Sequence, residues 1–220
     1  MKKEIFQNIC SQVFSSLQDN EQLTIYLEGE NSQYFRFNDS KLRQSGIIED
    51  YAVTISLFSG KKSLQSATTV SSDIESSVSN LKNEIQALRN PLSLIPENEF
   101  TSFPDNFDSI EIIKSGKLPA RSEILEALME IITKDYLTGV WTSGKIFRAC
   151  STSEGTNHWF EKDSFIFDFS LIDEKENMVK VLFPGNAWDQ EKFTTAFQEA
   201  SDKLKLMNKP KMELKPGKYR

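Results

Sequence analysis

The sequence contains few of the residues that metal and disulfide chemistry require. Its 220 residues include one histidine, His158, and two cysteines, Cys10 and Cys150, which lie far apart and form no Cys-x-x-Cys pair. Zinc hydrolases usually take two or three histidine ligands, and zinc ribbons and thioredoxin-type sites need paired cysteines. This chain cannot supply any of these sites alone. The two cysteines are typical of reduced, mostly buried thiols, because free cysteine packs as a small hydrophobe.

Motifs for other kinds of catalysis are missing as well. A histidine-based triad would have to use His158, and no Gly-x-Ser-x-Gly motif accompanies it. The segment Ser59–Ser63 contains a Gly-Lys pair, but it lacks the preceding glycine that a phosphate-binding loop needs. The sequence therefore predicts no catalytic, cofactor-binding or metal-ligating residue in this chain.

Long apolar runs are also absent. No stretch approaches the roughly 18 apolar residues that a membrane-spanning helix needs. The first residues, Met1–Asn8, are charged without a following apolar run, so we expect no secretory signal. These features predict a cytoplasmic protein without a membrane partner.

Acidic side chains outnumber basic ones, which gives the chain a formal net charge of −6. Non-specific nucleic-acid binding requires neutralisation of phosphates, so we expect no nucleic-acid partner. The segment Lys203–Arg220 is nevertheless basic. It is interpreted either as a docking segment for an acidic partner or as a solvated helix end, where cations suit the helix dipole.

Hydrophobic periodicity predicts helices that flank groups of strands in the first half of the chain. The second of these helices is expected to begin at the capping box Ser72–Glu75 and to be stopped by Pro91 and Pro96. The expected ranges are helix 5–17, strands 23–27, 34–37, 48–58 and 63–69, turns 28–31, 38–40 and 59–61, and helix 72–89.

The second half repeats this order about 115 residues later. Its expected ranges are helix 122–133, strands 137–141, 145–151, 159–172 and 178–183, and helix 189–207. The short connections favour hairpins, so the sequence predicts an α+β fold in which a helix–four-strand–helix unit with mainly antiparallel sheets is duplicated. We predict a first repeat over residues 1–90, a proline-containing linker over 91–120 and a second repeat over 121–220.

Short motifs follow one another along this pattern: Phe35–Gln44, Val53–Lys62, Ala67–Thr69, helix 72–89 with Pro91, Ser151–Gly155 and Pro216–Tyr219. They resemble the amino-terminal domain of the PmbA/TldD proteins, also catalogued as modulators of DNA gyrase. Ser153 stands where that family usually has Asn or Ser. The Pro-Gly-Lys-Tyr segment at 216–219 is similar to the one that leads into the family's next domain.

The resemblance implies a duplicated α+β fold within a zinc metallopeptidase that acts on unfolded peptides, as a homo- or heterodimer enclosing a chamber. The family's zinc motif, His-Glu-x-x-x-His, belongs to the carboxy-terminal domain that follows the Pro-Gly-x-Tyr segment. That motif does not occur in this sequence. We therefore expect zinc only in that other domain, and a non-catalytic role for this chain in shaping the substrate chamber and the dimer.

Trp141 and Trp159 are the candidate peptide-contact residues, since exposed aromatic side chains commonly anchor binding partners. The expected partner is a peptide or an unfolded protein, which can pair as an extended strand with an exposed sheet edge. The alternative is a stand-alone peptide- or protein-binding module that has lost the peptidase domain. A reading frame that encodes His-Glu-x-x-x-His beyond codon 220 would favour the first hypothesis.

Overall fold

The computed structural model describes residues 1–104, 108–132, 136–210 and 214–219. It contains α1 (Lys3–Phe14), β1 (Glu21–Asn38), β2 (Lys41–Ser59), β3 (Lys62–Thr69), α2 (Ile74–Leu94), β4 (Glu111–Lys114), α3 (Arg121–Ile132), β5 (Tyr136–Thr152), β6 (Asn157–Ile172), β7 (Met178–Gly185) and α4 (Gln190–Met207). Among the described residues, no helix has the length and apolar content needed to cross a membrane.

The strands form one sheet in the order β3-β2-β1-β5-β6-β4, and β7 also pairs with β6. The β2–β3 and β6–β7 pairs are antiparallel hairpins, whereas β4 pairs with β6 in parallel. The α+β class and the mainly antiparallel sheet are therefore confirmed. The order β3-β2-β1 is mirrored by β5-β6-β7, as a duplicated unit requires.

In the part of the chain that the structure describes, each repeat contains three strands between its helices, so the prediction of four was wrong. The expected turn at 28–31 and the expected break between 141 and 145 lie inside the long strands β1 and β5. Their glycines allow close packing instead of a turn. A Cβ on Gly29 would lie 2.5 Å from Cδ1 of Tyr51, and one on Gly144 would lie 2.3 Å from the carbonyl oxygen of Asn31.

Two details of the segment after β3 also differ from expectation. The N-cap of α2 is Asp73, whose carboxylate accepts the N–H of Ser76 at 3.3 Å. The helix continues past Pro91 to Leu94, and the carbonyl of Pro91 accepts the N–H of Ile95 at 3.2 Å. Proline lacks an N–H donor but keeps its carbonyl, so a last turn can still close after it.

The chain divides into two compact units, and β1, β2, β5 and β6 each contribute residues to both. The first unit comprises residues 1–32, 47–116 and 144–164, and the second comprises 33–46, 117–143 and 165–220. These units do not follow the boundaries at residues 90 and 120. The division of the sequence into two repeats and a linker stays a prediction.

The core of the first unit lies between α1, α2 and one face of its strands. Alternate residues of β1 and β2 face this core, and the helices contribute residues spaced three and four apart. Its buried members include Phe6, Ile9, Val13, Leu23, Ile25, Leu27, Val53, Ile55, Leu57, Leu81 and Ile85.

The core of the second unit is rich in aromatic rings. Helices α3 and α4 contribute to this core beside alternate residues of β1, β5 and β6. Its buried aromatic members are Phe35, Phe37, Trp141, Phe165, Phe167, Phe169, Phe193 and Phe197. Neighbouring rings tilt or stack, with Phe167 and Phe169 centred 4.6 Å apart, which adds to the free energy of apolar burial.

A largely buried ion pair joins α2 to the start of β1 in the first unit. Arg89 donates from Nε and Nη2 to the two carboxylate oxygens of Glu21, each at 2.9 Å, and from Nη2 to the carbonyl of Ser16 at 3.1 Å. The hydrogen bonds from Arg89 hold the pKa of Glu21 below its usual value. The ion pair contributes fully to the free energy of unfolding at pH values above the pKa of this carboxyl in the unfolded chain. The contribution is lost as the pH falls through the lower pKa of the folded state.

We expect Glu21→Gln to lower the free energy of unfolding at pH 7 by about 1.5–3 kcal/mol, because a charge-assisted, bidentate contact is lost. This penalty should shrink as pH falls from about 4, near the unfolded pKa, through the lowered folded pKa, where the wild-type carboxylate loses its charge. Urea unfolding at pH 7 and pH 3 measures both values, and Glu174→Gln on an exposed turn is the control. A penalty that is independent of pH would contradict this account.

The close approach at Gly144 gives a second prediction. We expect Gly144→Ala to destabilise the fold by about 1–3 kcal/mol, because the added Cβ overlaps the backbone of Asn31 and Ser32. Gly60→Asn is the matched control, since nothing lies within 4 Å of a Cβ there and asparagine tolerates its φ of +58°. Thermal unfolding compares the two variants, and equal midpoints would contradict the close contact.

Candidate functional site

The two tryptophans named as peptide contacts are buried in the cores. Trp141 is 0% exposed and Trp159 is 3% exposed, so the expectation of exposed indoles is wrong. Both occupy strand positions that alternate inward, beside other buried residues of β5 and β6. The Trp159 Nε1 donates to Glu161 at 3.4 Å, whereas Trp141 Nε1 has no hydrogen-bond partner in the described part of the chain.

The two cysteines and the single histidine are held in the fold by burial or by a hydrogen bond to the backbone. Cys10 is buried and Cys150 is half-buried, and neither forms a disulfide. Burial raises the pKa of Cys10 to about 12 and raises that of Cys150 as well, which favours unreactive thiols. His158 accepts the backbone N–H of Ile110 at its Nδ1, at 3.2 Å.

The described residues of this chain do not fit zinc, which the resemblance implies only for another domain. His158 uses Nδ1 for the backbone of Ile110, and the carboxylates of Glu161 and Asp163 are engaged by the ammonium of Lys145. Across residues 1–104, 108–132, 136–210 and 214–219, no three His, Cys, Asp or Glu side chains group as a metal site.

Strand β4 is an exposed edge of the sheet and the most distinctive surface of the first unit. Its pairing register places Glu111 beside Trp159 and Lys114 beside Lys162 of β6. The isoleucines around it are unusually accessible: Ile110 is 54%, Ile112 41% and Ile113 56% exposed. Large apolar side chains at a strand edge mark a surface that can accept another polypeptide.

The backbone of β4 has one paired side and one open side. The carbonyl of Ile110 accepts the N–H of Trp159 at 2.9 Å, and its N–H donates to His158, so both groups face β6. Because backbone groups alternate sides along a strand, those of Ile112 also face β6. The N–H and C=O groups of Glu111 and Ile113 therefore face away, where no further strand pairs among the described residues.

Side-chain hydrogen bonds hold β4 at both ends. Before the strand, Ser109 Oγ accepts the N–H of Asn157 at 2.9 Å, next to the His158 contact. After it, the N–H of Gly116 donates to Oδ2 of Asp163 at 3.1 Å. These contacts fix the strand although its own side chains are exposed.

A groove of about 310 Å³ lies between β4 and the start of α1. It is lined by Met1, Lys2, Lys3, Glu4, Glu111, Ile113, Lys145, Phe147, Trp159 and Glu161. Two ion pairs lie among these lining residues, Lys3 with Glu111 and Lys145 with Glu161. The hydrogen bond to Glu161 raises the pKa of Lys145, which keeps this lysine charged. The groove thus combines an apolar floor with charged walls beside the open backbone of β4.

Sequence reasoning missed this strand because it placed residues 91–120 in a linker. A signal was present in the three isoleucines Ile110, Ile112 and Ile113, because β-branched residues are enriched in strands. Its pairing partner is remote in sequence and parallel, so local turn signals could not reveal the strand.

Comparison with solved structures identifies the fold. A "putative modulator of a DNA gyrase" from Thermotoga maritima has a TM-score of 0.62 and 13% identity over 90% of this chain and 48% of its own. TldE from Thermococcus kodakarensis has a TM-score of 0.62 and 12% identity over 91% and 47% of the two chains. A "putative modulator of DNA gyrase" from Bacteroides thetaiotaomicron has a TM-score of 0.57 and 12% identity over 92% and 49%.

These likenesses define an α+β protein built from a duplicated unit. The chain has the PmbA/TldD-like fold, as the motifs in its sequence indicated. It spans about half the length of the solved structures that it matches. No family model matches the sequence, and no curated protein matches it.

We expect His158→Ala to loosen β4 without lowering the overall stability. The variant loses one exposed hydrogen bond, which lowers the free energy of local opening of β4 by about 1 kcal/mol. Amide hydrogen exchange at residues 110–114 should therefore become about fivefold faster. His158→Asn is the control, because its amide oxygen can take the place of Nδ1 as the acceptor. Exchange measured by mass spectrometry compares the variants, and an unchanged rate in His158→Ala would contradict the role of this contact.

Proposed function

We propose that this chain is the non-catalytic, peptide-binding part of a PmbA/TldD-like zinc metallopeptidase that acts on unfolded peptides. Its role is to help shape the substrate chamber and to present the peptide within a homo- or heterodimer of such subunits. The zinc and the catalytic glutamate belong to another domain. The proposal is supported by the PmbA/TldD-like fold and carried by the open edge of β4.

The β4 edge suits an unfolded peptide because the groups that the edge offers for binding are mainly backbone N–H and C=O groups. The outward N–H and C=O groups of Glu111 and Ile113 can pair with any extended segment, whatever its side chains. The exposed isoleucines then favour apolar residues in that segment. Such recognition is broad in sequence, as a peptidase of unfolded chains requires.

The second candidate is a stand-alone peptide- or protein-binding module. The β4 edge supports it as well, because pairing with an extended segment needs no catalytic residue. The two functions differ in the fate of the bound peptide. In the first, a peptidase subunit of the PmbA/TldD type hydrolyses the peptide faster when this chain is present. In the second, the chain leaves the rate unchanged.

Substitution of Ile113 by proline tests the role of the edge. Proline removes an outward N–H and leaves the groups that pair with β6 in place, as edge strands tolerate. We expect Ile113→Pro to weaken binding of a fluorescent, unstructured, apolar-rich peptide by about fivefold to tenfold in anisotropy titrations. Ile113→Val, which keeps the N–H and most of the side chain, should bind within about twofold of wild type.

Three results would count against the proposal. Equal peptide binding by Ile113→Pro and wild type would remove the edge as the site. Absence of any peptide binding by the wild-type chain would reject both candidate functions. Hydrolysis of the peptide by this chain alone, together with about one equivalent of zinc in elemental analysis, would contradict its non-catalytic role.

A further inference from the structure

Two lysines lie side by side next to the free edge. The parallel register of β4 and β6 places Lys114 directly beside Lys162. Like charges at directly paired positions repel and reduce the stability of the sheet. Neither ammonium has a carboxylate within 4.0 Å among the described residues, although the chain as a whole is acidic. The repulsion is therefore uncompensated within the described part of the chain.

Apolar side chains adjoin these lysines on the same face. Side chains alternate along a strand, so Ile110, Ile112 and Lys114 share one face of β4. Their neighbours in the register, His158, Phe160 and Lys162, share that face of β6. We call the four side chains Ile112, Phe160, Lys114 and Lys162 the basic edge patch. Along the strand direction, the apolar pair Ile112 and Phe160 comes first and the cationic pair Lys114 and Lys162 follows.

A second copy of this chain does not complement the patch. Two β4 strands that pair around a twofold axis perpendicular to the sheet must set residues of the same face opposite each other. In registers centred on Ile112 or Ile113, Lys114 would then meet Ile110 or Ile112 of the copy, and in a register centred on Lys114 it would meet the copy's own Lys114. In none of these registers would it meet Glu111, which lies on the other face. The positive charge of the patch would remain uncompensated by the strand of the copy in these registers.

We propose that the β4 edge selects extended peptides in which an acidic residue lies two positions from an apolar residue. The apolar side chain packs against Ile112, which in turn lies beside Phe160, and the carboxylate lies opposite Lys114. Lys162 repels the Lys114 ammonium and strengthens the positive potential at the edge. This inference rests on the proposed peptide-binding function and adds a preference for one class of peptide.

Paired peptides test this preference. The probes are a fluorescein-labelled Ser-Thr-Val-Thr-Glu-Thr-Ser peptide and its match with Gln in place of Glu, both titrated against the full chain at low salt. We expect the acidic peptide to bind about twofold to fivefold more tightly, which is the scale of an exposed ion pair. The difference should shrink at high ionic strength, because salt screens exposed charges.

Variants of the chain locate the effect. Lys114→Gln should remove most of the difference between the two peptides, and Lys114→Arg should keep it. Lys162→Gln should reduce it in part. Lys175→Gln is the control, because it changes the net charge equally from an exposed turn of the second unit.

The outcomes separate this inference from the proposed function. If both peptides bind equally to wild type and both lose binding in Ile113→Pro, the edge binds peptides without the acidic preference, and the inference is wrong. An acidic preference that survives Lys114→Gln also overturns it. If the wild-type chain sediments as a dimer and Ile113→Pro sediments as a monomer, the β4 edge binds a second copy of the chain. That result also overturns the inference. If neither peptide binds, the proposed function fails together with the inference.

Discussion

The two-residue alternation along the long strands is the constraint on which the rest of the structure depends. It sends one set of side chains of β1, β5 and β6 into the aromatic and aliphatic cores and the other set outward. The same alternation turns the backbone groups of β4 alternately toward β6 and toward open solvent. The same alternation therefore places the two tryptophan side chains in the cores and turns the backbone groups of Glu111 and Ile113 away from β6.

Local patterns were enough to predict the helices, the hairpins and their duplicated order. The turns after β1 and β2 depend on residues that adopt positive φ, such as Asp39 and Gly60, and these signals are local. The errors arose where a distant strand decides the outcome. Gly29 and Gly144 resemble turn residues in sequence, but close approach to neighbouring strands gives them their role.

The candidate site was the least predictable part of the molecule. Tryptophan is common in binding surfaces and in cores, so sequence alone could not distinguish the two for Trp141 and Trp159. β4 forms because β6 offers it a partner and because Ser109, His158 and Asp163 hold its ends. A lone histidine that looked uninformative therefore serves to position a strand.

The four-residue length of β4 also affects solubility. Open strand edges with exposed isoleucines are templates for intermolecular sheets, and long ones promote aggregation and fibre growth. Here the edge is short and ends at Lys114, whose charge faces that of Lys162. A short edge with a charged end is one of the devices by which proteins limit sheet pairing with copies of themselves, and it still leaves the outward backbone groups open to other chains.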